Sequence, residues 1–377
     1  MTAAIEGIFL ARPEQPGDGI ALAVKDIFDT EGLTTTYGSA VFAEHVPTTT
    51  AECVRRLESA GYANVGKTNM HEFAYGITSE NAHFGTVPNP IAPGRIAGGS
   101  SGGSAAALAA GLAEAAVGTD SGGSIRIPAA CCGVVGFKPT FDLVPTDGCF
   151  PLAPSFDTAG PIASSVEDCI GMMRVLAPEF APIELESLGD IAVGVAWLDA
   201  ADPLVRERVD AAASLFGTRR EFELPLPEVS AGFQREVADV HRDLYAEQSE
   251  LYSDEVAYKI ERCLEVGDAE VAAATRARAE FRDLCERLLD GVDLLVTPTI
   301  PVVAPAVGIG DRVLRPILTR NTLPMNALGW PALALPCGAA EDGLPASIQL
   351  VGRRGEDALV LAAGAVLSSL LRGTAGA

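Results

Sequence analysis

An α/β protein built around a central, largely buried sheet is the fold class that the sequence predicts, and three observations carry it. Short apolar runs alternate with helix-patterned segments through most of the chain. Thirty-nine glycines and 25 prolines in 377 residues place many short loops between those elements. One stretch, residues 200–290, breaks the pattern: it is charged, poor in glycine and helical in content.

Residues 20–24 form an apolar run between Gly19 and Lys25-Asp26, which suits a buried strand. Residues 51–60 read as a helix with Cys53, Val54 and Leu57 on one face, closed by Gly61. Residues 63–68 read as strand into loop. Ser104 stands where it could cap a helix over 105–112, accepting from the first free N–H groups. Residues 114–118 are another short apolar run, so 100–124 reads loop, helix, strand, loop. Within the charged stretch, 206–215 and 270–289 have the Ala, Arg, Glu and Leu content of helices. We take that stretch as a helical cover rather than a separate domain. Strands return at 292–296, 332–336 and 347–351, and a helix closes the chain at 356–371.

Composition excludes several function classes. A chain 48% hydrophobic and 20% charged is not disordered. A formal charge of −23 repels nucleic acid and anionic membrane surfaces, so neither is an expected partner. The first residues lack a basic and an apolar segment, so no secretion signal is expected. No apolar run reaches the roughly 20 residues of a membrane span. The expected location is cytoplasmic. Cys53, Cys131, Cys132, Cys149, Cys169, Cys263, Cys285 and Cys337 are dispersed with no CxxC pair, and are expected reduced and mostly buried. Cys149, beside Phe150, is a candidate pocket liner.

Lys25 is the first chemical oddity. It follows five apolar residues, which places an ammonium at the end of a buried strand. Burial there would lower its pKa and make it a base. The plainer alternative is an ion pair with Asp26 or a side chain that reaches solvent. Two Gly-framed serines are the second oddity: Ser100 in Gly98-Gly99-Ser100-Ser101-Gly102-Gly103-Ser104, and Ser124 in Asp120-Ser121-Gly122-Gly123-Ser124-Ile125-Arg126. Glycines before a serine let the hydroxyl and neighbouring N–H groups approach a ligand together. The first loop lacks the Lys-Ser/Thr ending of a nucleotide-binding loop. The second could be turn chemistry alone, and it does not fit the G-x-S-x-G elbow. His45, His71, His83 and His241 stand in no context resembling a catalytic loop, so a serine nucleophile would need another base. Ser–Lys arrangements supply one.

The run from Gly98 through Ser104-Ala105-Ala106-Ala107 continues through Gly118-Thr119-Asp120-Ser121-Gly122-Gly123-Ser124-Ile125-Arg126-Ile127-Pro128 to Gly136-Phe137-Lys138-Pro139-Thr140. It resembles the amidase signature family over about 40 residues, far more specifically than any lone Gly-rich loop. Val24-Lys25-Asp26, Gly66-Lys67-Thr68-Asn69-Met70-His71-Glu72-Phe73, Asp157-Thr158-Ala159-Gly160-Pro161, Thr297-Pro298-Thr299 and Gly343-Leu344-Pro345 leading to Gln349 are similar to that family too. The likeness is weakest from about 180 to 270.

The resemblance implies a single large domain over 1–377, its central mixed sheet covered by helices on both faces, with core at 15–180 and 290–372 and the helical cover at about 200–290. It makes Ser124 the nucleophile, Ser100 the bridging serine after a cis peptide, and Lys25 the base. Ser121, Gly122, Gly123 and Ser124 would supply the oxyanion-hole N–H groups, with Asp120 and Arg126 bracing their loop. Ala74, Tyr75, Gly76, Cys149 and Phe150 would line the substrate pocket. The implied reaction is hydrolysis of a small carboxamide to carboxylate and ammonia or amine through an acyl-enzyme, with no metal or organic cofactor. The partner would be a small-molecule amide, and the reading admits a homodimer. Two departures from the family are visible. Lys25 lies close to the start of the chain, which reduces the N-terminal cover. The 200–270 region lacks the Ser-Arg-Phe-Asp-Gly stretch associated with the glutaminase subunit of the tRNA-dependent amidotransferase, which makes that role the alternative reading. A non-catalytic binding or scaffold role is a second alternative, disfavoured because all three triad positions hold the needed residue. The physiological amide, urea or ester stays open.

Overall fold

A computed structural model describes residues 6–375. Its strands in chain order are β1 (Phe9–Ala11), β2 (Ile20–Lys25), β3 (Tyr62–Thr68), β4 (Glu80–Asn81), β5 (Gly85–Thr86), β6 (Ala115–Asp120), β7 (Val135–Lys138), β8 (Thr158–Ala163), β9 (Ala192–Val195), β10 (Thr218–Glu221), β11 (Leu294–Pro298), β12 (Ala332–Ala339) and β13 (Pro345–Val351). β4 and β5 pair only with each other; the rest form one sheet ordered β1-β3-β2-β6-β8-β7-β12-β13-β11-β9-β10. The sheet is mixed. β2 runs parallel to β3 and β6, whereas β8 is antiparallel to β6 and β7.

The helices are α1 (Glu52–Ser59), α2 (Gly102–Ala109), α3 (Arg126–Cys132), α4 (Val166–Leu176), α5 (Pro203–Ala213), α6 (Ser230–Gln248), α7 (Asp254–Leu264), α8 (Asp268–Leu288), α9 (Asp311–Leu318), α10 (Leu323–Leu328) and α11 (Asp357–Ala375). They cover both faces, and the two-residue period of the strands shows how. Leu22 and Val24 of β2 join a core layer with Val166 of α4 and Leu367 of α11. Ala23, between them, joins the opposite layer with Ala105, Ala106, Ala107 and Leu108 of α2. Leu333 and Leu335 of β12 repeat the first side and Ala334 the second. Each fully buried Val or Leu here contributes about 1.5–3 kcal/mol. The alanine-rich side lets α2 approach closely; a Cβ on Gly103 would lie 2.3 Å from the Asn69 carbonyl oxygen. The fold is thus a single domain whose large mixed sheet is flanked by helices.

Two sequence expectations fail in instructive ways. α2 begins at Gly102 with Ser101 in the cap position, so Ser104 is not the cap. It lies inside the helix, fully buried, with its Oγ 2.9 Å from Thr68 Oγ1. The stretch 200–290 is not purely helical. β10, with sequence Thr-Arg-Arg-Glu, pairs parallel to β9 at the sheet edge. Neither face of β10 is apolar, so no periodicity marks it, and its charges suit an exposed edge. No helix among the described residues is long and apolar enough to cross a membrane. The cysteines are free, and Cys149 alone is only partly buried.

Candidate active site

β2 ends on Lys25 and carries its side chain into the interior, where it is fully buried. The ammonium donates to Ser100 Oγ and to Thr119 Oγ1, both at 2.7 Å. Burial lowers the Lys25 pKa to about 7, against the smaller upward pull of Asp120 and Asp157. The ion pair with Asp26 that the sequence left open does not form. Asp26 instead faces Lys67 at 3.5 Å and accepts from the Thr36 N–H and hydroxyl. Lys67 in turn donates to the Phe28 carbonyl and to Thr35 Oγ1. Burial raises Asp26 and lowers Lys67, and the charge of each opposes the shift of the other.

The two Gly-framed loops meet beside Lys25. The Gly99–Ser100 peptide is cis. The Ser100 carbonyl accepts from the His71 N–H at 3.2 Å and the Ser79 hydroxyl at 3.3 Å. Ser101 ties one loop to the other: its N–H donates to the Ser124 carbonyl (3.2 Å) and its hydroxyl to the Thr119 carbonyl (3.2 Å). Ser124 is 5% exposed, between the end of β6 and the start of α3. Gly123 has φ +130°, and a Cβ there would lie 2.3 Å from Thr322 Oγ1. Gly123→Ala is therefore expected to distort the loop and to slow labelling of Ser124 by a serine-reactive fluorophosphonate about 10²-fold.

Asp120 organises this loop from below. It accepts from the N–H groups of Gly123 (2.8 Å) and Ile125 (3.1 Å), and from Arg126 Nε (2.9 Å) and Nη2 (2.8 Å). Burial alone would raise its pKa, but the Arg126 guanidinium holds it at about 2. Arg126 is itself fully buried and donates to Gln349 Oε1 (2.6 Å) and Asn326 Oδ1 (2.7 Å). The bracing read from sequence for Asp120 and Arg126 is this network. It also revises one expectation, because the Gly123 N–H is already occupied by Asp120. Ser121 donates its hydroxyl to Asp157 Oδ1 at 2.5 Å, a contact that leaves its N–H for other work.

The remaining predicted residues lie on two segments, 149–150 and 74–76. Phe28 and Cys149 form an isolated antiparallel bridge, and the Phe150 N–H donates to the Ile27 carbonyl at 3.0 Å, so this segment lies along the Lys25 turn. The Phe150 ring stacks in a cluster with Tyr37 (4.8 Å) and Phe73 (5.2 Å). Ala74 and Tyr75 are buried, and a Cβ on Gly76 would overlap the His71 ring. The histidines are engaged elsewhere: His45 with Tyr37, His71 near Glu255, His83 with Glu72, His241 with Tyr252. Burial holds His241 at about 4.

Thr119, Asp157, Asn326 and Thr322 were given no role from sequence. Thr119 had a usable signal, since a residue near the end of β6 must face the end of the adjacent parallel β2. Asn326 and Thr322 lie some 200 positions from Ser124 and had none.

A family model described as Amidase matches residues 3–183 and 177–361. One of the subunits of the glutamyl-tRNA(Gln) amidotransferase of Natronomonas pharaonis is 36% identical, over 94% of this chain and 96% of that protein. The AtzE subunit of the 1-carboxybiuret hydrolase of a Pseudomonas species is also 36% identical, over 93% and 84%. Among solved structures, one described as an amidase superposes with TM-score 0.86 at 37% identity, covering 94% of this chain and 85% of that one. The corresponding glutamyl-tRNA(Gln) amidotransferase chain from Thermotoga maritima superposes with TM-score 0.81 at 29% identity, covering 97% and 90%. The chain belongs to the amidase family of amide C–N hydrolases.

Proposed function

We propose that this chain hydrolyses a small carboxamide through an acyl-enzyme on Ser124, with Lys25 as base and Ser100 as bridge. The observation that carries the reading is a fully buried lysine whose amine sits 2.7 Å from Ser100 Oγ and titrates near neutrality. Neutral Lys25 accepts the Ser100 proton while an amine N–H stays on Thr119. Ser100 takes the proton of Ser124, and Ser124 Oγ bonds to the amide carbonyl carbon. The N–H groups of Ser121, Gly122 and Ser124 are the candidates to stabilise the oxyanion, each worth about 3–4 kcal/mol. The proton then returns along the relay to the leaving nitrogen, the C–N bond breaks, and water repeats the sequence to release carboxylate. Cys149 and Phe150 on one side and Ala74, Tyr75 and Gly76 on the other bound the acyl group in this reading.

The test is labelling with a fluorophosphonate followed by peptide mass mapping. The expected adduct is on Ser124, absent in Ser124→Ala and much slower in Lys25→Met. A folded wild type that stays unmodified, or that is modified at another serine, would overturn the assignment. The 36% identity to an amidotransferase chain favours a second reading, in which the released ammonia passes to a partner. Glutamine hydrolysis that appears only with partner proteins would select it over a stand-alone hydrolase.

A further inference from the structure

Helix α7 comes from the part of the chain where the signature-like segments are absent, yet it grips the segment that holds Ser100. Glu255, Lys259 and Cys263 are four residues apart and share one face of the helix. Lys259 Nζ donates to the Tyr75 carbonyl (2.7 Å), to Glu255 Oε1 (2.6 Å) and to Asp311 Oδ2 (2.6 Å). Three donors meet three acceptors. Glu255 Oε1 also lies 3.4 Å from His71 Nε2, and Tyr75 Oη lies 3.1 Å from Cys263 Sγ. At the start of the helix, Ser253 caps it and donates its N–H to Glu72 Oε2 at 3.1 Å. Asp311, the first residue of α9, accepts the Ile77 N–H at 2.5 Å.

The inner side of the same segment bears on the catalytic loop. His71 and Ser79 both donate to the Ser100 carbonyl. The Gly102 N–H donates to Ser79 Oγ at 3.2 Å. A Cβ on Gly99 would lie 2.8 Å from Ser79 Oγ and 3.0 Å from the Ile77 carbonyl carbon, so residues 77–79 pack directly on the Gly99–Ser100 bond. His71, Glu255 and Asp311 bring their ligating atoms within 4.8 Å of one another, and the ammonium of Lys259 is the cation bound to both carboxylates. Without it, Glu255 would face a fully buried Asp311 carboxylate, and the Tyr75 carbonyl would lose its ammonium donor.

We propose that Lys259 is a positioning residue, which through Tyr75, Ile77 and Ser79 sets the placement of Ser100 and hence the reactivity of Ser124. The proposal rests on the Ser124 reading above. A displacement of about 1 Å in such a relay can slow the chemistry up to about 100-fold.

The experiment measures, for wild type, Lys259→Met, Lys259→Arg and Arg262→Ala, the fraction of sites that a fluorophosphonate labels at completion and the rate constant of labelling. Arg262 lies on the same helix but pairs with exposed Glu265, so its variant is the surface control. Lys259→Met is expected to lower the rate constant per labelled site about 10- to 100-fold, with Lys259→Arg intermediate and Arg262→Ala unchanged. A purely structural role would lower the labelled fraction and leave the rate constant at the wild-type value; that result overturns the proposal. Wild-type rate constants in both Lys259 variants overturn it as well. An unlabelled wild type would instead reject the Ser124 assignment, so the two failures are distinguishable.

Discussion

Ser124→Ala is expected to lower kcat by about 10⁵–10⁶-fold, the loss typical when a nucleophile that acts as part of a unit is removed. Lys25→Met is expected to lower it by about 10²–10⁴-fold, because it removes proton transfer but leaves the hydroxyl and the oxyanion donors in place. The pH profile separates the two roles. In the proposed relay the free amine is the working form of Lys25, and burial holds its pKa at about 7. Wild-type kcat/KM is therefore expected to rise with pH through a midpoint near 7 and then level. A profile flat from pH 6 to 9 would remove Lys25 from the base role. Stability should rise with pH as well. In the unfolded chain Lys25 holds its proton up to about 10.5, whereas the folded chain releases it near 7. The buried ammonium therefore destabilises the fold fully below pH 7, and the penalty fades as pH rises toward 10.5. Lys25→Met is expected to be more stable than wild type by a few kcal/mol at pH 6, less the loss at the unpartnered Ser100 and Thr119 hydroxyls, and the gain should shrink by pH 9. Urea denaturation at the two pH values measures it.

Much of this site was legible because the chain writes its chemistry locally. Lys25 follows an apolar run, and a cation at such a place must be paired, reach solvent or act as a base. Ser100 and Ser124 sit in glycine frames of adjoining loops, and the resemblance to the amidase signature family joined them to Lys25. The strand–helix alternation around them was equally plain, since β2, β6 and α2 are short, apolar and bounded by glycine. What failed depended on partners far away in sequence. Ser104 has the chemistry of a helix cap, but Thr68 offers it a buried partner and the helix already starts at Gly102. Gly123 was expected to donate to an oxyanion, and only the fold shows Asp120 already accepting its N–H. β10 is a strand because β9 provides an edge, not because its residues favour one. Helix α7 falls in the stretch read only as a helical cover, and its grip on residues 71–77 was not legible, because Glu255, Lys259 and Cys263 look like an ordinary charged face until Tyr75 and Asp311 are set against them.

The second large effect lies beneath the loop. Arg126→Met is expected to destabilise the protein by about 3–5 kcal/mol at pH 7, because Asp120 is left as a buried charge without its counterion. The two side chains are fully buried, and Asp120 makes two of its hydrogen bonds to that guanidinium. The sign of the pH dependence follows. In the wild type Asp120 titrates at about 2, below its ordinary value, so its stabilising contribution is present above about pH 4 and is lost as pH falls through 2. In Arg126→Met burial is opposed only by Lys138, Asn326 and the backbone N–H donors, and the pKa of Asp120 rises. The deficit should then be largest near neutrality and smaller at pH 4, where the carboxyl can take up a proton. Adding Asp120→Asn should recover part of the loss, giving a coupling energy of about 1–3 kcal/mol in a double-mutant cycle. Full recovery is not expected. Asp120 uses both oxygens to hold the Gly123 and Ile125 N–H groups, and an amide presents only one acceptor. Strictly additive losses in urea denaturation would show that Asp120 and Arg126 brace the Ser124 loop independently, and that the ion pair itself contributes little to holding it.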